Sequence, residues 1–134
     1  PMHNSSHYTW IALRGAGQYR KPSLAKRILS VVSETNHQKW FRQIWSDISG
    51  ASTRNHPATF PMELAERLIR MFSFVGDTVL DPFMGTGTTN LAAANWGRNS
   101  IGIEVDQSYV DFSVTRIDRS LGKLFTKSSV EIIR

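Results

Sequence analysis

At 134 residues, 40% hydrophobic and 20% charged, the chain has the content of one globular domain with a real core, which excludes a disordered chain. It has no cysteine, which rules out disulfides and thiolate metal sites, and no run near the roughly 20 apolar residues of a membrane helix. The net charge of +5 lies wholly in residues 1–50, where seven Lys and Arg face only Glu34 and Asp47, while residues 51–134 balance nine basic against nine acidic groups.

Taken in chain order, His7 to Leu13 reads as a strand and Arg14-Gly15-Ala16-Gly17 as the turn after it. Ser23 is placed to cap a helix carrying Leu24, Ile28, Val31 and Val32 on one face. The stretch Asn36 to Gly50 is ambiguous, with a short helix expected around Lys39 to Trp45 and a polar connector from Ser46 to Asn55. Pro61 suits the first position of a helix whose apolar stripe is Leu64, Ala65, Leu68, Ile69 and Phe72, running to about Ser73. Gly76-Asp77 turns the chain into a strand, Thr78 to Asp81. A helix from about Thr88 to Trp96 stops at Gly97, a strand Ser100 to Glu104 follows, and Asp106 caps a last helix with Val110, Val114, Ile117 and Leu121 on one face. Strand, helix and strand over 78–104 make a right-handed parallel unit, so the fold class is α/β and Rossmann-like. With about three strands the sheet is partial. Some apolar edge then needs a partner: an N-terminal segment, a second polypeptide or another copy of the chain.

The chemistry is concentrated in Val79-Leu80-Asp81-Pro82-Phe83-Met84-Gly85-Thr86-Gly87-Thr88-Thr89 and in Glu104, which follows Gly85 by 19 residues. Gly85 and Gly87 allow a sharp turn and close backbone approach to a ligand. The helix opening near Thr88 points free N–H groups at an anion. A carboxylate about 20 residues beyond such a turn suits ribose hydroxyls. Asn90 stands where a dinucleotide fingerprint needs a small residue, and Asp81 at the strand end repels a pyrophosphate but attracts an ammonium group. S-adenosylmethionine carries an ammonium, a carboxylate and a ribose, and is the cofactor these residues favour.

These motifs reach a known family. Asp81 to Thr89, the preceding Asn55-His56-Pro57-Ala58-Thr59-Phe60-Pro61, and Gly102-Ile103-Glu104-Val105-Asp106 with Tyr109 resemble the C-terminal, cofactor-binding half of DNA amino-methyltransferases of the permuted beta group. Such enzymes methylate adenine N6 or cytosine N4, commonly in restriction-modification. The resemblance covers roughly residues 54–117. It implies a methyltransferase fold, present in part, with cofactor contact by Asp81, Phe83, Gly85, Gly87 and Thr88. It also implies ribose contact by Glu104 and methionine-end contact by His56, Pro57, Ala58 and Phe60. The family's catalytic motif, an Asp, Asn or Ser followed by Pro-Pro and an aromatic residue, has no counterpart: prolines stand only at 1, 22, 57, 61 and 82. In the permuted order that motif precedes the cofactor motifs. A missing N-terminal catalytic half or a complementary chain is therefore an expected partner, and this chain alone is expected to be inactive.

The division expected is a basic, DNA-facing segment over 1–50 and a cofactor-binding region over 51–134. Arg14, Arg20, Lys21, Lys26 and Arg27, with aromatic neighbours such as Tyr19 and Trp40, suit a polyanion. A solvated face over a buried aromatic cluster explains the same charges equally well. His3, His7, His37 and His56 lack metal-ligand spacing, so no metal is expected. The start Pro1-Met2-His3-Asn4 lacks the regions of a signal peptide, and a cytoplasmic location is expected. Beside the methyltransferase reading stand two others, a non-catalytic S-adenosylmethionine-binding module and a basic nucleic-acid-binding domain whose glycine turn is only structural.

Overall fold

A computed structural model of the chain describes residues 21–50, 60–121 and 131. The expected strand at 7–13 and its turn lie outside these residues. Five helices and two strands occur among the described residues, in the order α1 (Leu24–Leu29), α2 (Glu34–Trp40), α3 (Met62–Phe72), β1 (Thr78–Asp81), α4 (Thr88–Asn95), β2 (Asn99–Gly102) and α5 (Gln107–Leu121). No helix among them is long and apolar enough to cross a membrane.

The strands pair in parallel, Thr78 opposite Asn99 through Asp81 opposite Gly102. The ladder continues past β2, where the Ile103 N–H donates to the Asp81 carbonyl at 2.9 Å and the Met84 N–H donates to the Ile103 carbonyl at 2.9 Å. Those two bonds pull the chain after β1 beside the chain after β2. α4 makes the crossover, as a parallel pair requires. Its Ala92 and Ala93 are fully buried and, lacking bulk, let α3 approach closely, so that Ala65 and Ile69 of α3 meet them with Met62 and Val79 packed at the margin. A second cluster joins Leu91 of α4 to Ile117 of α5. Val79 and Ser100 therefore face the helices, and Leu80, Ile101 and Ile103 alternate to the other face, where each is more than half exposed.

Several boundaries differ from expectation. The short helix expected at Lys39–Trp45 lies earlier, at α2, because the Ser33 hydroxyl accepts from the Asn36 N–H at 3.3 Å and starts it there. After Trp40 the Trp45 indole N–H takes the Trp40 carbonyl at 2.6 Å, and the helix does not continue. Pro61 stands at the N-cap of α3 rather than at its first turn. β2 ends at Gly102, two residues before Glu104. The expected stripe of α3 splits in two: Ala65 and Ile69 face the core, joined by Met62, while Leu68 and Phe72, joined by Met71, line a groove of about 330 Å³ with Trp40, Phe41 and Trp45.

Residues 39–47 are fastened to α3 by charge. Arg67 is 1% exposed and donates to both carboxylate oxygens of Asp47, at 3.1 and 2.7 Å, and to Glu63. Lys39 reaches the same Asp47 at 2.8 Å. Arg67 and then Lys39 hold the Asp47 carboxyl well below the usual carboxylate range. Arg70 lies between the rings of Trp40 and Trp96, 4.7 and 3.7 Å from their centroids, linking α2, α3 and the end of α4.

Candidate functional site

The candidate site is built at the C-terminal ends of β1 and β2, where ligands of parallel α/β units collect. Asp81 closes β1, and its Oδ1 accepts from the Phe83 N–H at 3.0 Å, so the carboxylate shapes the first step out of the strand. Pro82 removes one donor and directs the chain outward, leaving Phe83 87% exposed. The backbone then reverses through Gly85 (φ 52) and Gly87 (φ 73), both in the left-handed region that a side chain disfavours. Gly87 is required for a second reason. A Cβ there would lie 2.9 Å from the Cβ of Ser113, because α5 packs directly on the start of α4. Gly87 serves as the N-cap of α4, and the N–H groups of the helix's first turn stand outside its ladder.

Glu104 closes the opposite side. Its Oε2 accepts from the Gly85 N–H at 2.9 Å, and its Oε1 accepts from the Val105 and Asp106 N–H groups at 2.8 and 3.0 Å. These donors, Asp106 first and then Gly85, lower its pKa, so the group is an anion at neutral pH. A carboxylate oxygen takes about two hydrogen bonds, which leaves Oε1 filled and Oε2 with room for one more donor. Asp106 accepts from the Ser108 hydroxyl and N–H, which lower its pKa in turn and start α5.

Of the residues singled out from the sequence, Asp81, Phe83, Gly85, Gly87, Thr88 and Glu104 come together at this one edge. Phe60 is partly exposed one residue before the Pro61 cap of α3. His56, Pro57 and Ala58 lie outside the described residues, as do Arg14 and Arg20. Lys21 and Arg27 are exposed, and Lys26 lies beside Gly76, at the turn entering β1 and so at the other end of that strand from Asp81. Three residues have structural roles that the sequence does not indicate. Met84 lies over Gly102, where a Cβ would meet its sulfur. Asn90 is buried and donates to the Ser100 hydroxyl at 3.1 Å, tying α4 to β2. Arg116 bonds the turn from α5, and no local sequence signal marks it. Among the described residues no group of His, Asp or Glu is arranged to hold a metal ion.

With this geometry in view, the likeness to known proteins is specific. The family described as DNA methylase matches residues 7–115. The type II methyltransferase M.MthZI of Methanothermobacter thermautotrophicus is 51% identical over 90 residues, covering 62% of this chain and 25% of its own length. The type II methyltransferase M.MjaI of Methanocaldococcus jannaschii is 46% identical over 107 residues, covering 75% of this chain and 35% of its own. A protein of Thermus thermophilus, provisionally described as a DNA modification methylase and solved with S-adenosyl-L-methionine, superposes with a TM-score of 0.70. It is 48% identical and covers 81% of this chain and 41% of its own. The chain thus spans between a quarter and about two fifths of the length of these relatives.

Proposed function

The chain belongs to the N6/N4 DNA methylase family, and from that premise we propose that its β1–α4–β2 unit holds S-adenosyl-L-methionine for methyl transfer to an exocyclic amine of adenine (N6) or cytosine (N4) in DNA. The observation carrying this reading is the convergence of Asp81, the Gly85–Thr88 turn and Glu104 at one edge of two parallel strands. The donor set fits the cofactor. Oε2 of Glu104 has an acceptor position left for a ribose hydroxyl. Asp81 offers negative charge to an ammonium group, and the exposed Phe83 offers an apolar surface.

When bound, the cofactor supplies an electrophilic methyl group on a positively charged sulfur. The residues of this chain contribute position rather than acid or base catalysis, since fixing two reactants in line removes much of the barrier to a direct displacement. Glu104 anchors the ribose end, the turn excludes side-chain bulk beside it, and His56, Pro57, Ala58 and Phe60 are proposed at the methionine end. The target base is proposed to be flipped from the duplex to reach this edge. Holding its amine is assigned to a Pro-Pro-aromatic motif contributed by further sequence or by a complementary chain, because this chain contains no Pro-Pro pair. Leu80, Ile101 and Ile103, exposed on the outer sheet face, fit a place where such a portion packs. Arg14, Arg20, Lys21, Lys26 and Arg27 are proposed to attract the DNA backbone.

Replacing Glu104 with Gln keeps the shape and removes the charge. Titration calorimetry with S-adenosyl-L-homocysteine, the demethylated product, should show affinity reduced roughly tenfold, the effect of losing one charge-assisted hydrogen bond. Equal affinity of wild type and variant would contradict the ribose assignment.

A further inference from the structure

The glycine turn is held from a second side. Arg116, on the third turn of α5, directs a single nitrogen, Nη1, at three acceptors of the turn: the Thr86 carbonyl at 2.9 Å, the Thr86 hydroxyl at 3.3 Å and the Thr88 hydroxyl at 3.1 Å. No carboxylate among the described residues forms an ion pair with it. Its half-buried guanidinium bonds neutral acceptors of the turn instead. Among the described residues its side-chain hydrogen bonds all go to residues 86 and 88. On the opposite flank the Gly85 N–H is fixed by the Glu104 carboxylate. One turn, with two glycines whose backbones have many alternative conformations, is thus gripped at the Gly85 N–H by an anion and at the Thr86 carbonyl by a cation.

We propose that Arg116 is a positioning residue for the cofactor site, holding the Gly85–Thr88 backbone in its ligand-accepting shape before any ligand arrives. This rests on the reading of that turn as the S-adenosyl-L-methionine site. A loop that is already ordered avoids the conformational entropy cost on binding, so the brace acts on affinity although Arg116 need not touch the ligand.

Arg116→Ala separates this role from simple support of the fold. Amide hydrogen exchange, measured without ligand, should be at least tenfold faster at residues 86–88 and unchanged at Ala92 and Ala93 in the core. Calorimetry with S-adenosyl-L-homocysteine should show affinity lowered about tenfold, partly restored by millimolar guanidinium, which can refill the vacated position. A variant that is merely less stable would bind worse in guanidinium, not better. Should Arg116→Ala fail to fold, Arg116→Gln, which retains one donor for the Thr86 carbonyl, carries the same two measurements. Unchanged exchange at 86–88, or wild-type affinity in a variant with a loosened turn, would overturn the inference about Arg116. Absence of binding by the wild type would instead overturn the cofactor reading, because the exchange measurement does not depend on it.

Discussion

Arg67 and Asp47 form the ion pair on which residues 39–47 depend, and the two ends of that pair are not equivalent. Asp47→Ala leaves a guanidinium 1% exposed with Glu63 alone, whereas Arg67→Met leaves an Asp47 that is one-third exposed and still beside Lys39. The urea midpoint should fall further for Asp47→Ala, since a buried charge stripped of its bidentate partner is the costlier state. The same pair sets an acid limit. A carboxyl with a depressed folded pKa stabilises the fold above its unfolded value, near 3.8, and loses that contribution as pH falls below it. Wild-type stability should therefore decline from about pH 4 downward, less steeply in Asp47→Ala. Gly87→Ala should cost about 2 kcal/mol or more, from left-handed strain plus the Ser113 contact, read by chemical denaturation. Glu104 and the glycines were legible in sequence because they lie on one local unit with a characteristic spacing. Arg67 was not, because its partner is 20 residues away and α3 was read as an apolar stripe with Arg67 outside it. Arg116 meets the turn 30 and 28 residues back, a distance over which no local pattern reports.

At the level of elements, the caps explain most agreements and most errors. Ser23 starts α1 where expected, its hydroxyl accepting from the Lys26 N–H at 3.3 Å, and β1 spans the expected residues. The expected apolar face is not buried, however: Leu24 and Ile28 of α1 are each more than 60% exposed, and so is Val31, which with Val32 lies beyond the helix end at Leu29. Periodicity tells which side of a helix is apolar but not whether anything covers it. The same limit applies to α3, where periodicity merged two stripes that packing separates. The inner one carries the stability. Ile69→Ala should cost about 2–4 kcal/mol by leaving a cavity beside Ala92 and Ala93. Phe72→Ala, at a position 46% exposed, should cost well under half as much. Urea denaturation of the two variants tests the order. A larger loss at Phe72 would place the main core of this region in the groove with Trp40 and Trp45.

At the scale of the molecule, the described residues form one parallel βαβ unit whose Leu80, Ile101 and Ile103 are exposed on the sheet face away from α3 and α4, and the chain spans only part of its relatives' length. Two consequences follow for activity. The chain by itself should transfer no methyl group to mixed-sequence DNA in a tritiated-methyl assay, because its sequence contains no Pro-Pro pair for the motif proposed to hold the flipped amine. Its affinity for DNA should be electrostatic, with a log–log salt slope of about −0.9 per phosphate contacted. Reversing Arg20, Lys21, Lys26 and Arg27 to Glu should flatten that slope while sparing cofactor affinity, since Lys26 lies at the far end of β1 from the glycine turn. The edge formed by Asp81, the glycine turn and Glu104 is proposed as a nucleoside cofactor site. Titrating the isotope-labelled chain with S-adenosyl-L-homocysteine and following backbone amide resonances tests it most directly. Saturable shifts concentrated at Gly85, Gly87, Thr88, Val105 and Asp106 are the predicted result. A spectrum unmoved at saturating ligand, or shifts gathered instead around Trp40, Trp45 and Met71, would contradict it.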